Sequence, residues 1–376
     1  MRMSGFDLSV LGWLMFNERG KCMYSNENIH GGDIYNHNIK DDFSVNINPL
    51  GTPHPLKDAL REALEQVIVY PQQGSGNLIE QIAANLQPPV EKSQVLCGNG
   101  ASELLAAIVH AIRPKKVVIP VPSFYGYEWA AQMVDAHMEF VQLKENENFA
   151  ITETFLDVLR EDLDLLFLAS PANPVGNEIS REMLRLLLKK CKECGITVVL
   201  DECFIEFAGE AHTQELLRDF KNLIIVRAFT KIYGIPGVRL GYLIADPHMR
   251  ARIARQLPEW NLSVFAQAAG VIYEKRPDWD AEKYLADTRN LICREREYLI
   301  NALKETGKDN IRIYDSVANY ILFYTEAPLY DRLLKEGILI RDCSNYRGLG
   351  KGYYRIAVKD HASNERLMER LRNERT

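Results

Sequence analysis

The chain has 376 residues, 47% hydrophobic and 26% charged, which suits one large globular unit or two closely joined domains and excludes disordered, collagen-like and coiled-coil classes. Its 45 basic and 51 acidic residues leave a formal charge of -6, so no nucleic-acid or other polyanionic partner is expected. A chain this long buries enough surface to need neither disulfides nor a structural metal, and no metal site is expected.

Seven cysteines, odd in number and scattered, point to a reducing compartment and a cytoplasmic protein. No apolar run approaches the ~18 residues of a membrane span. Near the N-terminus, residues 6–16 are apolar but broken by Asp7 and Ser9, and Asn17, Glu18 and Arg19 follow without a small-residue cleavage site, so no signal peptide is expected. Val95–Cys97 predicts a strand that runs into Gly98-Asn99-Gly100 and a helix from about Ser102 to Ile112. Lys116–Pro120 and Asp164–Ala169 read as further strands. The helix after the second of these ends at Gly195, with Cys191 and Cys194 as one-turn neighbours rather than a metal or redox pair. Ile196–Leu200 and Asn222–Val226 are continuous apolar runs, as expected of strands buried on both faces. The alternation predicts an α/β fold with a three-layer, mostly parallel sheet, and ligands then sit beyond the carboxyl ends of the strands.

After about Ala268 the pattern changes to a long charged helix (280–304), strands at 311–314, 320–324, 338–341 and 354–358, and a terminal helix rich in arginine and glutamate. This predicts a smaller α+β domain from residues 30–55 and 268–376. Residues 56–267 then form the large domain, and residues 1–29 an extension.

The strand ends carry the chemistry. Asn222–Val226 leads into Ala228-Phe229-Thr230-Lys231, and a lysine at the mouth of a buried strand loses solvation, which lowers its pKa and suits Schiff-base formation. Ile196–Leu200 ends in Asp201-Glu202, where a carboxylate can hold a pyridine nitrogen protonated. Asp164–Ala169 ends in Ser170-Pro171-Ala172-Asn173-Pro174, where an amide can reach a phenolic oxygen. Gly98-Asn99-Gly100-Ala101-Ser102 opens a helix, so backbone N–H groups and a hydroxyl can cradle a phosphate.

In this order, the four features resemble the fold-type-I pyridoxal-phosphate enzymes, in the branch of histidinol-phosphate aminotransferases and threonine-phosphate decarboxylases. The resemblance runs from His30 to about Leu371. Within the branch, His30-Gly31-Gly32-Asp33 with the segment 42–51, the run 230–237, and Arg341-Asp342-Cys343-Ser344-Asn345-Tyr346-Arg347 leading to Tyr354-Arg355 look like the decarboxylases. By this resemblance Lys231 holds the cofactor pyridoxal 5'-phosphate and shuttles protons. Asp201 pairs with its ring nitrogen, Asn173 meets the ring oxygen, and Phe124 stacks on the ring. Ala101, Ser102 and Arg239 hold its phosphate, Gly100 and Thr230 also bind the cofactor, and Tyr70 reaches the phosphate from the partner of a homodimer. The resemblance further implies that Arg355 clamps the substrate carboxylate, that Arg341 and His30, then Arg347, take the substrate's own phosphate, and that Gly31, Asn48 and Asn173 also contact the substrate.

The chain departs from relatives at Ala228, where many have a hydroxyl residue, and at Phe204, where aminotransferases usually have tyrosine. The implied reaction is decarboxylation of O-phospho-L-threonine to (R)-1-aminopropan-2-yl phosphate in cobalamin biosynthesis. O-phospho-L-serine is a second candidate substrate. The alternatives are a histidinol-phosphate aminotransferase and a non-catalytic binding protein on the same fold.

Overall fold

The computed structural model describes residues 30–209, 213–306 and 311–372, so the expected extension at residues 1–29 lies outside the described residues. In chain order its strands are β1 (Asp41–Asp42), β2 (Val95–Gly98), β3 (Lys116–Val121), β4 (His137–Gln142), β5 (Leu165–Ala169), β6 (Thr197–Asp201), β7 (Leu223–Ala228), β8 (Gly241–Ala245), β9 (Arg312–Ile313), β10 (Tyr320–Tyr324), β11 (Ile338–Leu339), β12 (Arg341–Asp342) and β13 (Tyr353–Ala357). Seven of them form one sheet in the order β2-β8-β7-β6-β5-β3-β4. Only β8 runs against its neighbours β2 and β7; the other pairs are parallel.

Side chains alternate between the two faces of a strand, and here both faces are apolar. Leu166, Leu168, Val198, Leu200 and Ile225 join one core, packed against the helix Arg181–Cys194. Leu165, Phe167, Val199, Ile224 and Val226 face the other, packed against the helices Ala101–Ile112 and Gly126–Gln132. The result is the three-layer α/β arrangement expected from the sequence. Cys191 lies in the first core, and Gly195 ends its helix at φ 77°, a left-handed conformation that glycine adopts without strain.

Besides the two-residue β1, two strands of the large sheet had no counterpart among those expected from the sequence. β4 is an edge strand of mixed polarity (HMEFVQ), so it lacks the continuous apolar run of its neighbours. β8 follows so closely on the Lys231 segment that its five residues read as part of that loop.

The C-terminal strands form an antiparallel sheet, β12-β13-β10-β9, beside the long helix Ala281–Glu305. The single strand expected over 338–341 is divided at Ile340. β11 pairs in parallel with β1, and β12 pairs with β13, which sets Arg341 directly opposite Arg355.

Gly241 at the start of β8 lets the strand approach the first turn of the helix Ala101–Ile112. A Cβ there would lie 2.8 Å from the Ala101 nitrogen and 2.9 Å from the Gly100 carbonyl carbon. Gly241→Ala is expected to cost roughly 1–3 kcal/mol of stability. Thermal unfolding would register this as a lower midpoint, and an unchanged midpoint would contradict the close approach.

Candidate active site

Strands β5, β6 and β7 are parallel and in register, with Ala169 beside Asp201 and Asp201 beside Val226, so their carboxyl ends open on one edge. β7 passes at Ala228 into a single helical turn, Phe229–Ile232. Phe229 and Ile232 anchor that turn in the core, leaving Lys231 at the mouth of the sheet. Burial, then the cations of Arg355 and Arg239, lowers the Lys231 pKa to about 8. Its amine is therefore partly neutral near neutral pH, as a nucleophile must be.

Asn48 frames the same turn. Its backbone N–H donates to the Lys231 carbonyl at 3.1 Å, and its Nδ2 lies 2.8 Å from the Ile232 carbonyl, 2.9 Å from Thr288 Oγ1 and 3.0 Å from the Tyr284 hydroxyl. Its Oδ1 accepts the Leu50 N–H. With both ends of the amide committed to the fold, Asn48 is not a substrate ligand, contrary to the expectation above. Asn46, in the same Asn-Ile-Asn motif, differs in that its Oδ1 is buried without a protein partner. Sequence alone does not separate the two asparagines.

Asp201 closes β6. Its Oδ2 accepts the Tyr127 hydroxyl at 2.7 Å and its Oδ1 accepts the Cys203 N–H at 3.0 Å. Tyr127 was missed in the sequence, where it reads as one more core aromatic three positions after Phe124. Its ring stacks on Phe167 at 5.1 Å, and burial together with the carboxylate pushes the phenol well above its ordinary pKa, so it remains a donor. The Phe124 ring sits edge-on to Tyr127 at 5.7 Å and faces His30 at 5.8 Å. Phe204 packs edge-on against Tyr320.

Gly100 precedes the helix Ala101–Ile112 at φ 79°, and Ala101 and Ser102 form its first turn. The Arg239 guanidinium covers Gly100 so closely that no Cβ fits between them. Glu103 holds the turn by accepting the Asn99 N–H at 2.6 Å. Thr230 is buried nearby, with its hydroxyl 3.5 Å from the Leu240 carbonyl. A helix N-terminus roofed by a guanidinium fits a phosphate; Lys231 and Asp201 fit an aldehyde and a ring nitrogen. The residues present thus suit the cofactor expected from the sequence.

Beside this edge is a cavity of about 240 Å³ lined by His30, Gly31, Ser44, Tyr330, Arg341 and Asn345, among others. Arg341 and Arg355, 7% and 5% exposed, face each other across β12 and β13. Arg355 donates Nη1 to Asn173 Oδ1 and Nη2 to the Ser44 carbonyl at 2.8 Å, while its Nε is buried with no acceptor. Arg341 donates to Asn345 Oδ1 at 2.7 Å and to the Asp342 carbonyl. His30 is exposed at its outer side, yet partial desolvation, then the cations of Arg341, Arg355 and Lys231, holds its pKa below the ordinary value. Gly31 seats the His30 loop, since a Cβ there would lie 2.5 Å from the Ser44 carbonyl oxygen.

Two expected residues lie elsewhere. Arg347 is paired through Nε and Nη2 with Glu128, at 3.2 and 3.1 Å, and stacks on Phe140. Its guanidinium is thus engaged outside the His30–Arg341 cavity. Tyr70, 78% exposed, stacks on Trp260 at 4.7 Å within a strip that also exposes Leu64, Val67, Ile68 and Val69.

A family model described as "Aminotransferase class I and II" matches residues 38–371. The chain belongs to the aminotransferase class I and II family. Among the relatives of this family member is a putative threonine-phosphate decarboxylase from Caldanaerobacter subterraneus subsp. tengcongensis, 36% identical over 91% of this chain and 93% of the relative. The threonine-phosphate decarboxylase of Salmonella typhimurium is 35% identical over 88% and 90%. The crystal structure of the histidinol-phosphate aminotransferase from Clostridium acetobutylicum superimposes with a TM-score of 0.80 at 31% identity, covering 89% of this chain and 98% of that one. No helix among the described residues is long and apolar enough to cross a membrane.

Two tests follow from the family member's site. The rate of chromophore formation on adding pyridoxal phosphate should rise with pH and level off above about 8, instead of climbing towards the 10.5 of a solvated lysine. A profile still rising at pH 9.5 would contradict the burial of the amine. Tyr127→Phe removes one hydrogen bond to Asp201 and should weaken cofactor binding by roughly 1 kcal/mol, about fivefold in Kd, measured by titration of the apoprotein.

Proposed function

We propose that the protein is a pyridoxal-phosphate-dependent decarboxylase of O-phospho-L-threonine, forming (R)-1-aminopropan-2-yl phosphate and carbon dioxide for cobalamin biosynthesis. The observation that carries this reading is the pair of buried arginines opposite each other on β12 and β13. Two adjacent cations call for a substrate with two anionic groups a short distance apart. Phosphothreonine has a carboxylate and a phosphate on neighbouring carbons; the 2-oxoglutarate of an aminotransferase also has two anionic groups, and the relatives named threonine-phosphate decarboxylase at 36% and 35% identity favour the first reading. Arg355, with its unpartnered Nε, is the carboxylate clamp. Arg341 and His30, with Gly31 holding the loop, take the phosphate.

Bound pyridoxal phosphate supplies an electron sink for the bond cleaved at Cα. Lys231 anchors the cofactor, gives way to the substrate amine, and then carries the proton that returns to Cα. Asp201, steadied by Tyr127, keeps a proton on the ring nitrogen. Asn173 offers its amide N–H₂ to the ring oxygen. Phe124 covers the ring and limits access of water. By holding the substrate carboxylate, Arg355 would orient the Cα–carboxylate bond for cleavage in preference to the Cα–H bond. The pocket's preference between phosphothreonine and phosphoserine rests on one methyl, which is worth only ~1–3 kcal/mol.

The exposed strip from Leu64 to Tyr70, continued by Trp260, supports a homodimer in which Tyr70 reaches the partner's cofactor phosphate. The decisive experiment is product analysis of loaded protein with O-phospho-L-threonine and no keto acid. Carbon dioxide and an amino-alcohol phosphate are expected, and Lys231→Ala should abolish both. Amino transfer from histidinol phosphate to 2-oxoglutarate, with no carbon dioxide released from phosphothreonine, would assign the aminotransferase reaction instead.

A further inference from the structure

Tyr346 lies in the turn between β12 and β13, its backbone N–H donating to the Cys343 carbonyl at 3.0 Å. Its ring packs against the small core of Phe149, Val175, Tyr314, Leu322 and Cys343, so the side chain has a defined seat. From that seat it touches three groups of the site. Its hydroxyl lies 3.4 Å from Asn173 Oδ1 and 3.4 Å from Arg355 Nη1, and the Arg341 guanidinium lies 5.1 Å from its ring centre.

We infer that Tyr346 is a positioning residue that fixes the Asn173 amide and the two arginines relative to one another, and so helps select which bond of the substrate is broken. The argument begins with Asn173. An amide can present either its oxygen or its N–H₂ to a ligand. Here Arg355 and Tyr346 both donate to Oδ1, which leaves Nδ2 as the end turned to a ligand, and a donor is what the cofactor's ring oxygen requires. The same hydroxyl accepts from Arg355, so the carboxylate clamp and the ring contact share one anchor. The Arg341 guanidinium lies over the Tyr346 ring, whose π face offsets part of the repulsion between the two cations.

This inference rests on the cofactor and substrate proposed above, and the test separates the two. Tyr346→Phe keeps the ring in its core and removes only the hydroxyl. In pyridoxal-phosphate-loaded protein without substrate, the titration midpoint of the lysine-linked chromophore should rise by roughly half a pH unit, because a less firmly held Asn173 stabilises the deprotonated form less well. With O-phospho-L-threonine in D₂O, exchange of the Cα hydrogen, removed and returned at Lys231, should increase about fivefold relative to carbon dioxide release. A midpoint equal to wild type overturns the inference, and so does an unchanged midpoint in Tyr346→Phe paired with a shifted one in Tyr346→Leu, since that pattern means packing alone. If the wild-type protein forms the chromophore but releases no carbon dioxide, the decarboxylase reading fails, and the substrate-free titration still decides the role of Tyr346.

Discussion

Two arginines held opposite each other on antiparallel strands, both nearly removed from water, are the constraint around which the rest of the site is arranged. Like charges facing across a strand pair repel, and desolvation strengthens that repulsion. The fold offsets it with oriented oxygens: the Ser44 carbonyl and Asn173 Oδ1 for Arg355, Asn345 Oδ1 and the Asp342 carbonyl for Arg341. These acceptors come from three separated parts of the chain. The arginine pair therefore ties the N-terminal segment and the loop after β5 to the C-terminal sheet. A bound dianion completes the compensation, which makes substrate binding and the local stability of the site parts of the same electrostatic balance.

The same cations reach the nucleophile. Arg355 and Arg239 reinforce the effect of burial on Lys231, lowering its pKa towards the working range of an amine that must lose a proton to react. Burial, then Arg341 and Arg355, lowers the pKa of His30 as well. The imidazole at the cavity mouth therefore favours its neutral form more than a solvated histidine does. Lysine and histidine, from different elements, thus share the influence of one arginine.

Family membership leaves more than one reaction open, because the cofactor-binding edge of the parallel sheet serves carboxylate loss and amino transfer equally well. What distinguishes them is the orientation of the substrate above that edge. In this chain, the proposed reading assigns that orientation to the C-terminal sheet, where Arg355 and Arg341 face each other. The β11–β12 break at Ile340 is part of that arrangement, since it lets one segment pair with β1 and then turn Arg341 to face Arg355.

The sequence by itself determined the sheet and the residues at its mouth. Continuous apolar runs ending in Asp201, in Asn173 and in the Lys231 turn are local signals, and parallel strands bring such ends to one edge. β4 and β8 escaped because one is an edge strand of mixed polarity and the other is too short and too close to the lysine loop to stand out. Only the tertiary structure decided what depends on contacts between distant segments. It separated Asn46 from Asn48, because the Asn48 amide is committed to groups from positions 232, 284 and 288, which no local pattern connects to it. It turned Arg347 to Glu128, 219 positions away, and brought Tyr127 to Asp201 across 74. Hydrogen-bond partners of this kind are fixed by packing and desolvation, which exist only once the layers have come together.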